Sequence, residues 1–166
     1  MIALKKILVA TDFSEPSTAA LAYGRELSRS FGAVLTLAHV VDDILSRSYG
    51  IDGGVVLTDP EVQRRLEWSA REQVNELLSA EDRVQLNAEG VILVSNAPAT
   101  AIITYAREAS TDLIVMGTHG RGGMAHLLMG SVSERVVRTA PCPVLTVRHP
   151  EHEFVLPDAP VAVAKA

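Results

Sequence analysis

The sequence predicts an α/β fold: a single doubly wound domain, Rossmann-like, with a five-stranded parallel sheet and helices on both faces. Two observations carry that prediction. Short apolar runs recur along the chain at Ile7–Ala10, Ala33–Val40, Val91–Val94, Leu113–Met116 and Val144–Val147. Ile7–Ala10, Val91–Val94 and Leu113–Met116 are unbroken, which suits strands buried on both faces. Between them lie stretches with helical spacing and recognisable start signals, and such alternation calls for right-handed crossovers and a parallel sheet.

Each element has its own signal. Ile7–Ala10 ends at Thr11-Asp12, after which Ser14-Glu15-Pro16 starts a helix. Proline suits a first helical turn because its missing N–H has no partner there in any case. Leu21, Leu27 and Phe31 mark the buried side of that helix, and Gly32 fits a left-handed cap. After the strand Ala33–Val40, the stretch from Val41 to Asp59 lacks a period and carries Gly50, Gly53 and Gly54. A lid and an unstructured loop are both compatible with it. Asp59-Pro60 caps a long polar helix whose inward residues are expected to be Val62, Leu66, Val74, Leu77 and Leu78, fraying near Glu81-Asp82 or running on to Ala88. Pro98 opens a shorter helix through Ala109, and Ser131 to Thr139 forms the last one. Val144–Val147 is bracketed by Pro141, Pro143 and Pro150.

Composition narrows the function. The 166 residues suffice for one domain with a substantial core, and 48% hydrophobic with 21% charged residues is the balance of a globular protein. No apolar run reaches the roughly 18 to 20 residues of a membrane span, and Met1–Lys6 leads into no secretory signal. A net charge of -5 argues against a nucleic-acid partner, since phosphate backbones need a basic surface. Cys142 is the one cysteine, so a reducing, cytoplasmic setting is expected. Lysine occurs only at Lys5, Lys6 and Lys165, so a phosphate-loop or Schiff-base lysine would have to come from a terminus.

Parallel doubly wound sheets bind ligands beyond the carboxyl ends of their strands, where strand order reverses. Thr11-Asp12 and Gly117 are the two strand ends followed by polar or glycine-rich chemistry. The second of these opens a loop from Gly117 to Gly130, in which Gly117-Thr118-His119-Gly120 is followed by nine residues and then Gly130-Ser131. Glycine lets main-chain N–H groups approach an anion, and a helix beginning at Ser131 adds the partial positive charge of its N-terminus. Ser131-Val132-Ser133-Glu134 also matches a capping box, so Ser131 either caps the helix or meets a phosphate. The lysine-bearing phosphate loop is absent. Gly120-Arg121-Gly122-Gly123-Met124-Ala125 fits the loose dinucleotide pattern, but it follows the fourth strand and lacks the ribose-binding acid about 20 residues on.

The run Gly117-x-x-Gly120, nine residues, Gly130-Ser131 resembles the motif of the ATP-binding subclass of universal stress proteins. The resemblance extends to Leu113–Gly122, Gly130–Val137 and Ala140–Leu145, and to Ile7–Ser14 and His39–Asp42 near the front. It covers residues 1–148 as one domain and leaves 149–166 as a tail, flexible or packed on a partner. The resemblance implies an adenine nucleotide alpha hydrolase-like fold and binding of ATP, or of AMP, ADP or cyclic AMP, by a stress-response regulator. Carried over by position, Asp12 would accept from the ribose hydroxyls, with Ala10 and Thr11 beside base and sugar and Val40 reading the adenine edge through its backbone. Met116 would belong to the nucleotide site, and Gly117, His119, Gly120, Arg121, Gly130, Ser131, Val132 and Ser133 would surround the phosphates, mostly through main-chain N–H groups. The resemblance also implies a homodimer joined through the edge strand Val144–Val147.

Other readings stay open. Asp12 could instead cap the following helix. His39, His119 and His126 lack a metal-ligand spacing, so any Mg or Mn is expected to be held through the phosphates. Arg121 either screens phosphate charge or is a solvated side chain. Cys142 is expected to be a small buried hydrophobe. No catalytic residue is assigned: without a lysine, an evident general base or a carboxylate cluster, at most slow ATP hydrolysis or nucleotidyl transfer is expected. A nucleotide-independent interaction module is the remaining alternative.

Overall fold

The computed structural model describes residues 2–46, 59–119 and 129–148. Five strands, β1 (Lys6–Thr11), β2 (Val34–Val41), β3 (Glu89–Val94), β4 (Leu113–Gly117) and β5 (Val144–Val147), form one sheet in the order β3-β2-β1-β4-β5. Every pairing is parallel. The helices are α1 (Glu15–Phe31), α2 (Pro60–Leu77), α3 (Ala80–Gln85), α4 (Pro98–Glu108) and α5 (Ser131–Thr139). The expected doubly wound architecture is therefore what forms, with β1 and β4 adjacent at its centre.

Strand alternation divides the core into two layers. Ile7 and Val9 of β1, Leu35 and Leu37 of β2 and Val115 of β4 pack with Ala20, Leu21 and Val74 of α1 and α2. Leu8, Ala10, Ala38, Ile114 and Met116 point the other way, onto Ala99, Ile102, Ile103 and Val136 of α4 and α5. Apolar residues at successive positions of one strand thus serve opposite faces, which is why the strands read as unbroken apolar runs.

Helix ends follow local chemistry. α1 carries Pro16 in its first turn and ends at Gly32, whose φ of 64° is the left-handed cap anticipated from sequence. Asp59 caps α2 by accepting from the Glu61 N–H. The buried stripe of α2 differs from the expected one: Val62 and Leu66 are exposed, while Gln63, Ala70 and Val74 face inward. Gln63 is a polar residue with a structural task, accepting from the Ile44 N–H at 3.1 Å and donating to Glu67 at 2.9 Å. Nor does α2 run on toward Ala88. It stops at Leu77, and Ser79 starts α3 through a capping box with Asp82.

Asp82 also holds α1. Arg25 Nε donates to both carboxylate oxygens, at 3.1 and 3.0 Å, and its Nη2 donates to Oδ2 at 2.9 Å and to the Leu77 carbonyl. The Asp82 side chain is 2% exposed. Burial pushes its carboxyl up, but the Arg25 hydrogen bonds, the Ser79 amide and the Arg25 charge outweigh that and leave its pKa below the usual value.

Two predictions test this framework. Because the folded pKa of Asp82 is depressed, its stabilisation is complete above the unfolded value and drains away as pH falls through the folded one. Asp82→Asn should therefore flatten the acid limb of a melting-temperature profile below about pH 4. Asp82→Ala, which strands Arg25, should cost about 3 kcal/mol in urea denaturation at neutral pH; a loss within error of zero would mean that the pair does not hold α1 to α3. The second concerns Gly24, where an added Cβ would lie 2.4 Å from Val9 Cγ2. Gly24→Ala gains about 1 kcal/mol of helix propensity but overpacks a fully buried contact at a cost of about 1–3 kcal/mol. Net destabilisation, relieved by adding Val9→Ala, is expected; a more stable Gly24→Ala chain would refute the close packing of α1 on β1.

Candidate functional site

Strand order reverses between β1 and β4: the chain moves outward through β2 and β3, then returns to the far side of β1. The loops leaving these two strands start in opposite directions, and a crevice at their carboxyl ends follows from the topology. Asp12 lies just beyond β1, and Gly117 closes β4.

The loop from β1 to α1 is wired internally. Thr11 Oγ1 accepts from the Phe13 N–H at 3.0 Å and lies 3.0 Å from Ser17 Oγ, while Ser17 Oγ donates to the Ser14 carbonyl at 2.8 Å. A hydroxyl has one proton, so Thr11 must donate to Ser17. The Thr11 hydroxyl is thus committed to the loop. Asp12 Oδ1 accepts from both the N–H and the hydroxyl of Ser14. The N-cap of α1 is Ser14 rather than Asp12. Phe13 sits at φ 65°, an unusual conformation for a side-chain-bearing residue, and its ring centroid is 4.2 Å from that of His39. His39 Nδ1 lies 2.8 Å from the Thr11 carbonyl. A carbonyl only accepts, so Nδ1 carries the proton.

Val40 owes its place to ladder alternation. Val34 donates to the Lys5 carbonyl and Leu35 to that of Leu86, while Ser95 donates to the carbonyl of Val41. Even-numbered residues of β2 therefore turn their peptide groups toward β1, Val40 among them. The Phe13 amide, which would continue the β1 side of that ladder, is given to Thr11 Oγ1 instead. By that alternation the Val40 carbonyl points to the β1 side of the sheet, at the carboxyl end of β2.

On the other side, Ile114 donates to the carbonyl of Pro143, just before β5, and Thr118 to that of Val147 at its end. Gly117, between them in phase, turns its peptide groups toward β1. A Cβ at Gly117 would lie 2.9 Å from Pro16 Cβ and 3.0 Å from the Pro16 carbonyl carbon. The need for glycine here comes from the first turn of α1, on the side away from α5.

α5 starts beside this point. Gly130 is its N-cap, with φ -73° and ψ 155°, and a glycine brings no capping side chain. This corrects the capping-box reading: Ser131 is the first helical residue and is exposed, and a cap must precede the first turn. Ser133 is buried and donates its hydroxyl to the Gly117 carbonyl at 2.8 Å. Gly130 N–H donates to the Thr118 carbonyl at 2.7 Å, tying the two ends of the glycine-rich loop together. Val132 is half-buried.

Of the remaining sequence-derived positions, Ala10 and Met116 put their side chains into the core, so a ligand could meet their main chain alone. His119 is half-buried, with Nδ1 3.0 Å from Thr118 Oγ1. Gly120, Arg121 and His126 lie outside the described residues, as do most of the loop after Val41 and the tail from residue 149. Among the described residues no group of three or more His, Cys, Asp or Glu could hold a metal. Cys142 packs against the α4–α5 layer. Burial pushes its thiol pKa up, against a lowering by the Ile114 backbone and with a small further rise from Asp112, so it is a poor nucleophile. What sequence reasoning missed is the pair of helix-positioning bonds from Gly130 and Ser133, whose long-range acceptors no local motif reveals. No described helix is long and apolar enough to cross a membrane.

Similarity to known proteins agrees with this geometry. Residues 3–148 match the Universal stress protein family. The chain is 33% identical over 149 residues to the universal stress protein MJ0531 of Methanocaldococcus jannaschii, covering 90% of this chain and 85% of that one. MJ0577 from the same organism is 30% identical over 154 residues, covering 87% and 94%. Its solved structure superposes with a TM-score of 0.72 at 26% identity, over 91% of this chain and all of that one. Two more distant universal stress proteins, each 22% identical, share the fold: one solved in complex with cAMP (TM-score 0.60, over 89% and 98%), and one from Archaeoglobus fulgidus in complex with dAMP (TM-score 0.59, over 89% and 99%). A doubly wound sheet, a helix start with glycine as its N-cap beside the switch point, and a family match over nearly the whole described chain lead to one conclusion: this protein belongs to the universal stress protein family.

Proposed function

We propose that this chain binds an adenine nucleotide, ATP foremost, at the carboxyl ends of β1 and β4, and serves in the cytoplasm as a nucleotide-responsive stress regulator. The observation that carries this reading is the start of α5. Its N-cap is a glycine, which brings no capping side chain to the first-turn amides, and the helix is held against the end of β4 at the switch point. An anion placed there meets main-chain N–H groups and the positive end of the helix dipole. Relatives of the same fold that hold cAMP and dAMP support an adenine nucleotide as the ligand.

Magnitudes decide how much of the nucleotide must be recognised. A helix terminus supplies at most about 2 kcal/mol, whereas micromolar affinity requires about 8 kcal/mol. The base and sugar must contribute most of the rest. The Val40 carbonyl is an acceptor, suited to the exocyclic amine of adenine and unsuited to the carbonyl that guanine has at the same place. Asp12, acceptor-only when ionised, suits ribose hydroxyls, which donate. Ser131 and the main chain of Val132 and Ser133 would meet phosphate, with Gly117, His119, Gly120 and Arg121 on the loop side. A divalent ion, where one takes part, would be held chiefly by the phosphates, and its chemistry is charge neutralisation there. The described site presents no lysine and no acid–base pair, so turnover is expected to be far below the roughly 1–100 per second of kinases.

The same sheet geometry supports a homodimer through β5. Pro143 and Val147 turn their carbonyls to β4, so Val144 and Thr146 turn their peptide groups outward along the sheet edge. Such an edge is a template for a second strand.

Two measurements test the reading. Calorimetry with ATP, ADP, AMP and cAMP should show binding that Gly130→Val and Asp12→Asn each weaken about tenfold, or about 1.4 kcal/mol. Gly130 has extended dihedrals that valine also adopts, and asparagine keeps an oxygen for Ser14, so both variants should stay folded. No heat and no thermal shift with any of the four would end the nucleotide reading and leave an interaction module. For the dimer, Thr146→Pro removes an outward N–H while sparing the ladder to β4. Sedimentation should then report a monomer in place of a dimer, and an unchanged dimer would place the interface elsewhere.

A further inference from the structure

The geometry points to Ser133 as the positioning residue of the anion cradle: its side chain sets the start of α5 before any ligand arrives, and its hydroxyl does not itself touch phosphate. The inference rests on the nucleotide-binding reading for its functional consequence, though its structural half stands alone. Ser133 is the third residue of α5, 5% exposed, with its hydroxyl 2.8 Å from the Gly117 carbonyl. Serine has one hydroxyl proton, and a carbonyl can only accept, so that proton is spent on Gly117. The hydroxyl cannot also donate to a phosphate. Exposed Ser131, two residues earlier, is free of that commitment.

The bond reaches from the first turn of α5 to a strand end that is itself immobilised. Gly117 is pressed against Pro16 on its α1 side, where even one added carbon would come within 2.9 Å. Its neighbour Thr118 donates to Val147 and accepts from Gly130 at 2.7 Å. One turn further along α5, Val136 is fully buried in the layer containing Met116 and Ile114. The helix start is thus anchored by a main-chain bond at Gly130, a side-chain bond at Ser133 and apolar packing at Val136. Of the three, Ser133 alone can be deleted by trimming one atom without opening a large cavity. Its loss would leave the first turn hinged on Gly130, and the amides that face the crevice would lose their fixed aim. Preorganised donors bind more tightly than donors that must be ordered on binding.

The test compares wild type with Ser133→Ala and Ser133→Thr in the full chain. Amide hydrogen exchange is followed at Glu134–Val136 without ligand, and affinities for ATP and for adenosine are measured in parallel. Ser133→Ala should accelerate exchange at these amides at least tenfold relative to β1 and weaken ATP about tenfold. Adenosine, which carries no phosphate, should weaken less than twofold. Threonine keeps the hydroxyl and should restore both values. Unchanged exchange with lost ATP affinity would make Ser133 a direct ligand and overturn the assignment. Equal losses for ATP and adenosine would overturn it too, by showing a general loosening. If wild type binds neither compound while Ser133→Ala still frees α5, the positioning role holds and the nucleotide reading alone falls.

Discussion

The parallel pairing of β1 with β4 is the constraint on which the rest of the molecule depends. It puts two strands that lie about a hundred residues apart in the chain side by side, in the register Ile7 with Leu113 through Ala10 with Met116. That register levels their carboxyl ends, so Thr11-Asp12 and Gly117-Thr118 emerge together. It also forces the helices on either side to different layers, α1 against one face and α5 against the other. Slipping the register by one residue would exchange Leu8 and Ala10 for Ile7 and Val9 between layers, setting large side chains where small ones are required. The crevice is therefore a product of core packing, specified far from any ligand.

Gly117 shows how two demands converge on one residue. Seen as sequence, a glycine at the end of a strand before a helix suggests main chain brought close to a phosphate. In the fold its missing Cβ accommodates Pro16, a packing requirement with no reference to a ligand. The carbonyl of the same residue receives Ser133. One position thus joins the start of α1, the end of β4 and the start of α5, and any side chain there would push apart the elements that define the site. A glycine in a binding motif is weak evidence of ligand contact for this reason: the scaffold can need it just as much.

How much was legible follows from the range of the forces involved. The strands were legible because burial on both faces forces apolar residues at consecutive positions, as in Ile7–Ala10. Their ends were displaced by a residue or two, since Lys6, Thr11 and Glu89 keep strand geometry while reaching solvent or loop partners. Gly32 was legible because a left-handed cap is a local demand. The inward face of α2 was not: Gln63 is buried through bonds to Ile44 and Glu67, partners that periodicity cannot show, and Val62 and Leu66 are left exposed. The Ser131 capping box failed similarly. The pattern was present, but a long-range bond from Gly130 to Thr118 fixes the chain one residue earlier, and the functioning capping box lies at Ser79–Asp82, in a stretch that offered no apolar period.

The proposed anion site, on a chain of net charge -5, would pose an electrostatic problem that the architecture can answer locally. With a negative net charge and the lysines at the ends of the sequence, the field at the proposed site would have to be generated within a few ångströms of the ligand. Helix dipoles and main-chain amides do this, because their partial charges are fixed in direction and fall off within the last turn. The price is that such donors work only if held in place, since an amide rotated away contributes nothing. Rigidity of the helix start must therefore substitute for formal charge, and the structure invests in it through a side-chain bond, a main-chain bond and a fully buried valine around a single turn of α5. Selectivity follows from the same choice. A lysine attracts any anion, whereas amides with a set direction accept one whose oxygens arrive at the matching angle.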